Sequence, residues 1–277
     1  MGFRINTNVS SIAAQRSLSR VNRESQSTLS KMSSGTRITK ASDDAAGLAI
    51  SEKLKAKIKS NAQANRNAND GISMVQTAEG GLDEVSNILT RLRELSVQSA
   101  SDTVGDTERG FTDMEYQNLK QEVERIAQVT EFNGTKLLSG EGGPLDFQIG
   151  ANNDAFQDRI SYDTSGQNAK LESLGIAEIG VASKEGAQGA LNTIDSAIEK
   201  VSGQRASLGA IQNRLISTSN NLQITNENLS AANSRIRDVD YAEVSASNAR
   251  NNILGQAGTS VLAQANSQGQ NALRLIS

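Results

Sequence analysis

The sequence predicts a mainly α protein, an elongated bundle of long helices with one small β-hairpin region. Three observations carry that expectation. Val201, Leu208, Leu215, Leu222, Leu229 and Ile236 fall seven residues apart without a slip, a period that suits a helix facing another helix and not a strand, whose side chains repeat every two residues. The 277 residues include a single proline, Pro144, so helices can run long without a kink. Aromatic residues make up 3% and Trp is absent, which leaves Leu, Ile, Val and Ala to build the core.

The first element expected is an amphipathic segment over residues 5 to 32. Ile5, Val9, Ile12, Leu18, Val21, Leu29 and Met32 lie on one side of it, with Ser, Asn and Gln on the other. Ser42-Asp43-Asp44 then precedes AAGLAISEKL; the acidic pair reads as an N-cap at the positive end of a helix before it reads as a metal pair. Along that helix Val75, Ala78, Leu82, Val85, Leu89 and Leu92 alternate steps of three and four. The stripe is weak upstream at Leu54 and Ile58, polar in NAQANRNAND, and interrupted by Gly80-Gly81 at some cost in propensity.

A third helix, carrying Tyr116, Leu119, Val123 and Ile126, is expected to begin after SDTVGDTERG and to end at the turn signal Asn133-Gly134. The period then changes. Leu145, Phe147 and Ile149 alternate with polar residues, GANNDA turns the chain, and Phe156 to Tyr162 returns it, which reads as a hairpin. After the long heptad helix, Leu254, Ala257, Val261, Ala265, Ala272 and Ile276 continue an apolar stripe to the last residues. Both ends of the chain therefore carry apolar stripes on polar helices, and are candidates to pair with each other and with further copies of the chain.

Composition removes several classes of function. Neither Cys nor His is present, so zinc, haem and iron–sulfur ligation, thiol catalysis and imidazole-based triads have no donors, and no catalytic, cofactor-binding or metal-ligating residue is expected. A net charge of −3 argues against a general grip on nucleic acid, which needs a basic surface. No stretch approaches the roughly 18 apolar residues of a membrane span, so no membrane insertion is expected. The N-terminus lacks the apolar core and small-residue cleavage site of a secretory signal. GEGG at 140 to 143 lacks the Lys-Ser/Thr of a phosphate loop and reads as a turn.

Five stretches resemble bacterial flagellin: MGFRINTNVSSIAAQRSL at the start, SSGTRITKASDDAAGLAISEKL at 33 to 54, NDGISMVQTAEGGLDEVSNILTRLRELSVQSA at 69 to 100, and SRIRDVDYAEVS with QAGTSVLAQAN towards the end. The likeness is colinear over both ends of the chain. It implies a structural subunit that polymerises into a flagellar filament and serves motility. It also implies a layout: a coiled-coil segment at 1–40, a spoke at 41–54, N-terminal helices of an outer helical domain at 55–140, a hairpin and loop region at 141–181, a long C-terminal helix at 182–236, a returning spoke at 237–243 and a second coiled-coil segment at 244–277. The two terminal segments would form an antiparallel coiled coil, and the central variable region, about 45 residues, is too short for large outer domains.

By the same resemblance the partners are further copies of the chain, an export chaperone, the filament cap and hook-associated proteins, and the destination is extracellular, reached through the flagellar export route without a cleaved signal peptide. Arg91, Leu95 and Glu115 match positions through which a host innate immune receptor recognises members of the family. The alternatives are a hook–filament junction protein and an adhesin or effector using the same export route. An enzyme is the least supported reading.

Overall fold

A computed structural model describes residues 7–274, with side chains as far as Ser267. Their order is α1 (Val9–Ser34), α2 (Ala45–Ser99), α3 (Asp106–Val129), β1 (Glu131–Phe132), β2 (Thr135–Lys136), β3 (Pro144–Gln148), β4 (Arg159–Asp163), α4 (Leu171–Leu174), α5 (Lys184–Arg237) and α6 (Tyr241–Arg274). The chain divides into a terminal unit, Met1–Ala56 with Asn228–Ser277, and a central unit, Lys57–Glu227.

In the central unit α2 supplies a continuous seam. Val75, Ala78, Leu82, Val85, Leu89 and Leu92 are each at most 1% exposed, and Ile194, Ala197, Val201, Leu208 and Leu215 of α5 are buried to the same degree. Complete burial of each large aliphatic side chain stabilises the fold by about 1.5–3 kcal/mol before conformational entropy is counted. The two helices run antiparallel: Arg93 Nε meets Asp195 Oδ1 at 2.6 Å, Arg205 Nη2 meets Asp83 Oδ1 at 2.9 Å, and Ser219 Oγ donates to Asn65 Oδ1 at 2.7 Å. The polar stretch of α2 thus stays on the seam by exchanging apolar packing for specific bonds. Asn67 Nδ2 likewise donates to the Gln148 carbonyl at 2.9 Å.

Gly80-Gly81 does not interrupt α2, which is helical throughout. A Cβ on Gly81 would come within 2.8 Å of both Leu138 Cδ1 and Thr130 Oγ1. The missing side chain lets the segment after α3 close on α2, and this offsets the propensity lost at that position.

Helix α3 starts earlier than its sequence suggests, at Asp106 inside SDTVGDTERG. Arg109 explains the difference. It is 7% exposed and reaches back, with Nε donating to the Ser99 carbonyl and Nη2 to the Ser101 carbonyl, both at 2.9 Å. That cap on the end of α2 holds Arg109 in a first helical turn, and Asp106 and Glu108 suit the positive end of the helix.

One face of α3 also ties down the chain ahead of α5. Asp113 Oδ1 accepts from the Val181 N–H at 2.8 Å, Lys120 Nζ donates to the Ala177 and Ile179 carbonyls at 2.8 Å, and Glu124 Oε2 accepts from the Leu171 N–H at 3.0 Å. Burial lowers the Lys120 pKa.

Asn133-Gly134 does more than end a helix. Both residues have positive φ, 50° and 80°, the pairing needed for a tight hairpin turn between β1 and β2. Strands β3 and β4 pair antiparallel from Pro144↔Asp163 to Gln148↔Arg159. The returning strand begins at Arg159 rather than at Phe156, because the connecting loop closes on its own carboxylates. Asp158 accepts from the Asn152 and Asp154 N–H groups, while Asp154 accepts from those of Phe156 and Gln157.

Candidate self-assembly surface

In the terminal unit α1 and α6 pack along each other in opposite directions. Asn8 Nδ2 donates to the Ala265 carbonyl at 2.9 Å, Ser11 Oγ to Asn266 Oδ1 at 2.7 Å, and Asn251 Nδ2 to Thr28 Oγ1 at 3.4 Å. Asn8 also caps α1 by accepting from the Ser11 N–H at 3.0 Å. Between these bonds a Cβ on Gly258 would lie 3.2 Å from Leu18 Cδ1, so a leucine of one helix sits over a glycine of the other.

The covered positions repeat at alternating steps of three and four. On α1 they are Ser11, Ala14, Leu18, Val21, Ser25, Thr28 and Met32; on α6 they are Val244, Asn248, Asn251, Gly255, Gly258, Leu262 and Ala265. This is coiled-coil spacing, but most of the seam is small or polar. Leu18, Val21, Met32, Val244 and Leu262 are its larger apolar members, while Val9, Ile12, Leu29, Ile253, Leu254 and Val261 lie off it at between 45% and 67% exposed.

The residues expected to assemble therefore divide into two groups. Leu18, Val21 and Met32 are half-buried in the intrachain pair and Ala265 is buried, whereas Val9, Ile12, Leu29, Leu254, Ala257 and Val261 face solvent. Ile5 and Ile276 lie outside the described residues, as does the side chain of Ala272. The glycine, serine and asparagine half of the seam was hidden from a search for large apolar residues. Its signal is the same three-four spacing carried by small side chains.

The links between helices are pinned to each other. The Arg37 N–H donates to the Arg237 carbonyl at 2.6 Å and that of Val239 to the Gly35 carbonyl at 3.1 Å, around a bridge between Thr36 and Asp238. Ile38 is 1% exposed beneath them. Ser51 Oγ donates to Asn233 Oδ1 at 2.8 Å, and Arg237 pairs with Glu52. Asp44 is the cap: its Oδ1 accepts from the Gly47 N–H at 2.8 Å. The Thr39 hydroxyl, then the Lys40 and Thr39 N–H groups, hold the Asp43 carboxyl below its ordinary pKa.

Of the expected helical seam, Val75, Leu82, Val85, Leu89, Leu92, Val201, Leu208 and Leu215 are buried. Leu222 is half-buried in the central unit, and Leu229 and Ile236 are half-buried in the terminal unit. The three candidate receptor contacts separate. Arg91 donates from Nε and Nη2 to Glu115 Oε1 at 3.0 and 2.9 Å and from Nη1 to Glu94 Oε2 at 2.9 Å, and all three side chains are about half exposed or more. Leu95 is 2% exposed in the core. Its side chain packs within the core of its own chain.

Among the described residues no group of three or more Asp, Glu, His or Cys is placed to hold a metal ion, and no helix is long and apolar enough to cross a membrane.

Family models match both ends of the chain: the bacterial flagellin N-terminal helical region over residues 5–142 and the bacterial flagellin C-terminal helical region over residues 191–276. The chain is 44% identical to a flagellin of Halalkalibacterium halodurans over 272 residues, covering 98% of this chain and 99% of that one. It is 42% identical to a flagellin of Bacillus subtilis, covering 99% and 100%. A flagellar filament core protein of Brachyspira hyodysenteriae is 44% identical, with 98% and 99% covered. The crystal structure of Bacillus cereus flagellin aligns with a TM-score of 0.51 at 31% identity, over 57% of this chain and 88% of that one. A hook-associated protein structure from Vibrio parahaemolyticus aligns at 0.58 over 71% and 100%, but at 15% identity it speaks for the fold alone.

Proposed function

The chain belongs to the bacterial flagellin family, and from that membership we propose that its terminal helices are the assembly element of a flagellar filament. The protein is a structural subunit of that filament, whose work is motility and whose chemistry is packing between copies. What carries the reading for the terminal helices is the apolar residue set left outside the α1–α6 pair, where Val9, Ile12, Leu29, Leu254 and Val261 face solvent although the two helices are already packed on each other. An apolar stripe left outside a paired helix marks a surface that other chains cover. In a filament such contacts join unlike faces with a rotation that does not close, which builds a helical polymer instead of a ring.

The finer assignments follow from family membership. The subunit is exported by the flagellar route, meets an export chaperone on the way, and is placed beneath a filament cap beyond hook-associated proteins. The half-exposed Arg91–Glu115 pair offers a host receptor a charged surface. The role is mechanical and not catalytic.

The test is seeded elongation. Purified chain added to sheared filament seeds is expected to yield long filaments by electron microscopy, while Leu254→Asp/Val261→Asp keeps its helicity and stays in the supernatant. Failure of the unaltered chain to elongate seeds would overturn the reading, and so would elongation by the double variant.

A further inference from the structure

In the central unit α2, α5 and the loop between β3 and β4 border an open groove of about 470 Å³, a size usual for small-molecule sites. Asn61 of α2 lines it and is only 5% exposed. Its side-chain amide has no hydrogen-bond partner among the described residues. A buried amide left unpaired costs stability. Where such an amide lines a groove, a polar group from outside the chain can complete it.

The rest of the lining limits what that group can be. Asn152 and Gln157 of the loop and Ser217 of α5 bring further side chains that are unpartnered among the described residues. Of the lining residues Lys57 alone is cationic, and the carboxylate of Asp158 is already engaged by the Asn152 and Asp154 N–H groups at 3.3 and 3.1 Å. The groove thus offers neutral groups that donate and accept. It has too few cations for a polyanion and no open carboxylate for a metal ion.

Next to Gln157 in the same loop stands Phe156, 93% exposed. The loop holds it in place: Asp154 Oδ1 accepts from the Phe156 and Gln157 N–H groups at 2.8 and 2.9 Å, and Gln148 Nε2 donates to the Asn152 carbonyl at 2.8 Å. A ring displayed on a fastened loop loses little freedom when a ligand covers it. It adds an aromatic platform to a groove of amides and hydroxyls.

We propose that this groove binds a neutral saccharide, one pyranose laying its C–H face on Phe156 while hydroxyl groups of the sugar pair with Asn61, Asn152 and Gln157. A pyranose combines an apolar face with a rim of groups that donate and accept at once, which is what the ring and the amides together require. An apolar ligand would leave Asn61 unpaired, and an inorganic anion would leave Phe156 uncovered. The site lies within one chain. It adds recognition to the structural role and does not depend on assembly.

The test is saturation-transfer NMR on the full chain as a monomer, with maltotriose, mannotriose and triacetylchitotriose as probes. Transfer to at least one of them is expected at a sugar concentration of about 5 mM, as a dissociation constant of about 1 mM implies. It is expected to fall about fivefold or more in Phe156→Ser and in Asn61→Leu, each of which removes one of the two recognition elements. Melting curves of both variants are recorded alongside. Phe156 is exposed and the Asn61 amide is unpaired, so neither replacement should lower the midpoint, and loss of transfer then reports the groove and not unfolding. No transfer to any of the three sugars overturns the proposal, as does transfer that persists in Phe156→Ser. Inorganic phosphate that binds in place of the sugars and is lost in Lys57→Gln overturns it too, because the groove would then be an anion site.

Discussion

The two units treat their large apolar residues differently. In the central unit the large aliphatic residues go inside: Leu82, Val85, Leu89 and Leu92 of α2 and Val201, Leu208 and Leu215 of α5 are at most 1% exposed, and Asn65 and Ser219 keep the seam in register with a bond of 2.7 Å. In the terminal unit Gly258, Ser11 and Asn251 share the seam with Leu18, Val21 and Leu262, and Val9, Ile12, Leu254 and Val261 stay out. The first arrangement completes a core within one chain. The second holds two helices close at little hydrophobic gain and saves the apolar surface for contacts that one chain cannot make. A subunit that must exist both alone and in a polymer is served by dividing these tasks between two parts.

The largest expected effect tests the self-sufficient half. Leu89→Ala removes a side chain with no exposed surface and is expected to destabilise the central unit by about 2–5 kcal/mol, read as a lower midpoint in urea unfolding of the monomer. Leu254→Ala, at a site 45% exposed, is expected to leave that midpoint nearly unchanged. Equal losses from the two substitutions would erase the distinction between the units.

Next in size is Gly81→Val. Any Cβ there meets Leu138 and Thr130 at 2.8 Å, and overpacking of this kind costs about 1–3 kcal/mol. Gly255, with nothing within 4 Å of a built Cβ, is the control: Gly255→Ala is expected to be neutral or to gain up to about 1 kcal/mol in helix propensity. Thermal unfolding of both variants sharpens the comparison, because it asks whether glycine is needed at a close approach or merely tolerated.

These sites also show how far the sequence could be read. The α2 and α5 seams were legible because heptads of Val and Leu give a strong signal at the right period. The α1–α6 seam was legible only in part, through Leu18, Val21, Met32 and Ala265, since Ser11, Ala14, Gly255 and Gly258 carry the same period in residues that hydrophobic patterning ignores. The start of α3 was hidden because it depends on Arg109 reaching the backbone carbonyls of Ser99 and Ser101, a bond that a pattern of side-chain types does not register. Phe156 read as a strand residue for the opposite reason: the alternation was there, but Asp154 and Asp158 captured the backbone first. Leu95 matches by residue type, and only the fold shows that its side chain lies in the core.

The smallest effect concerns the charged edge of the central seam. Arg93 holds the Asp195 carboxyl below its ordinary pKa, chiefly through their hydrogen bond at 2.6 Å. A carboxylate with a depressed folded pKa contributes stability that is present above its unfolded pKa and lost as pH falls through the folded value. Asp195→Asn should therefore lower the melting midpoint slightly at neutral pH and not at all once the pH lies below both pKa values. Both side chains are about half exposed, so the difference should also shrink with added salt. Leu89→Ala, by contrast, should cost the same in either salt condition. The helices would then be held together by their apolar seam, with the ion pairs along its edge selecting register and adding little to stability.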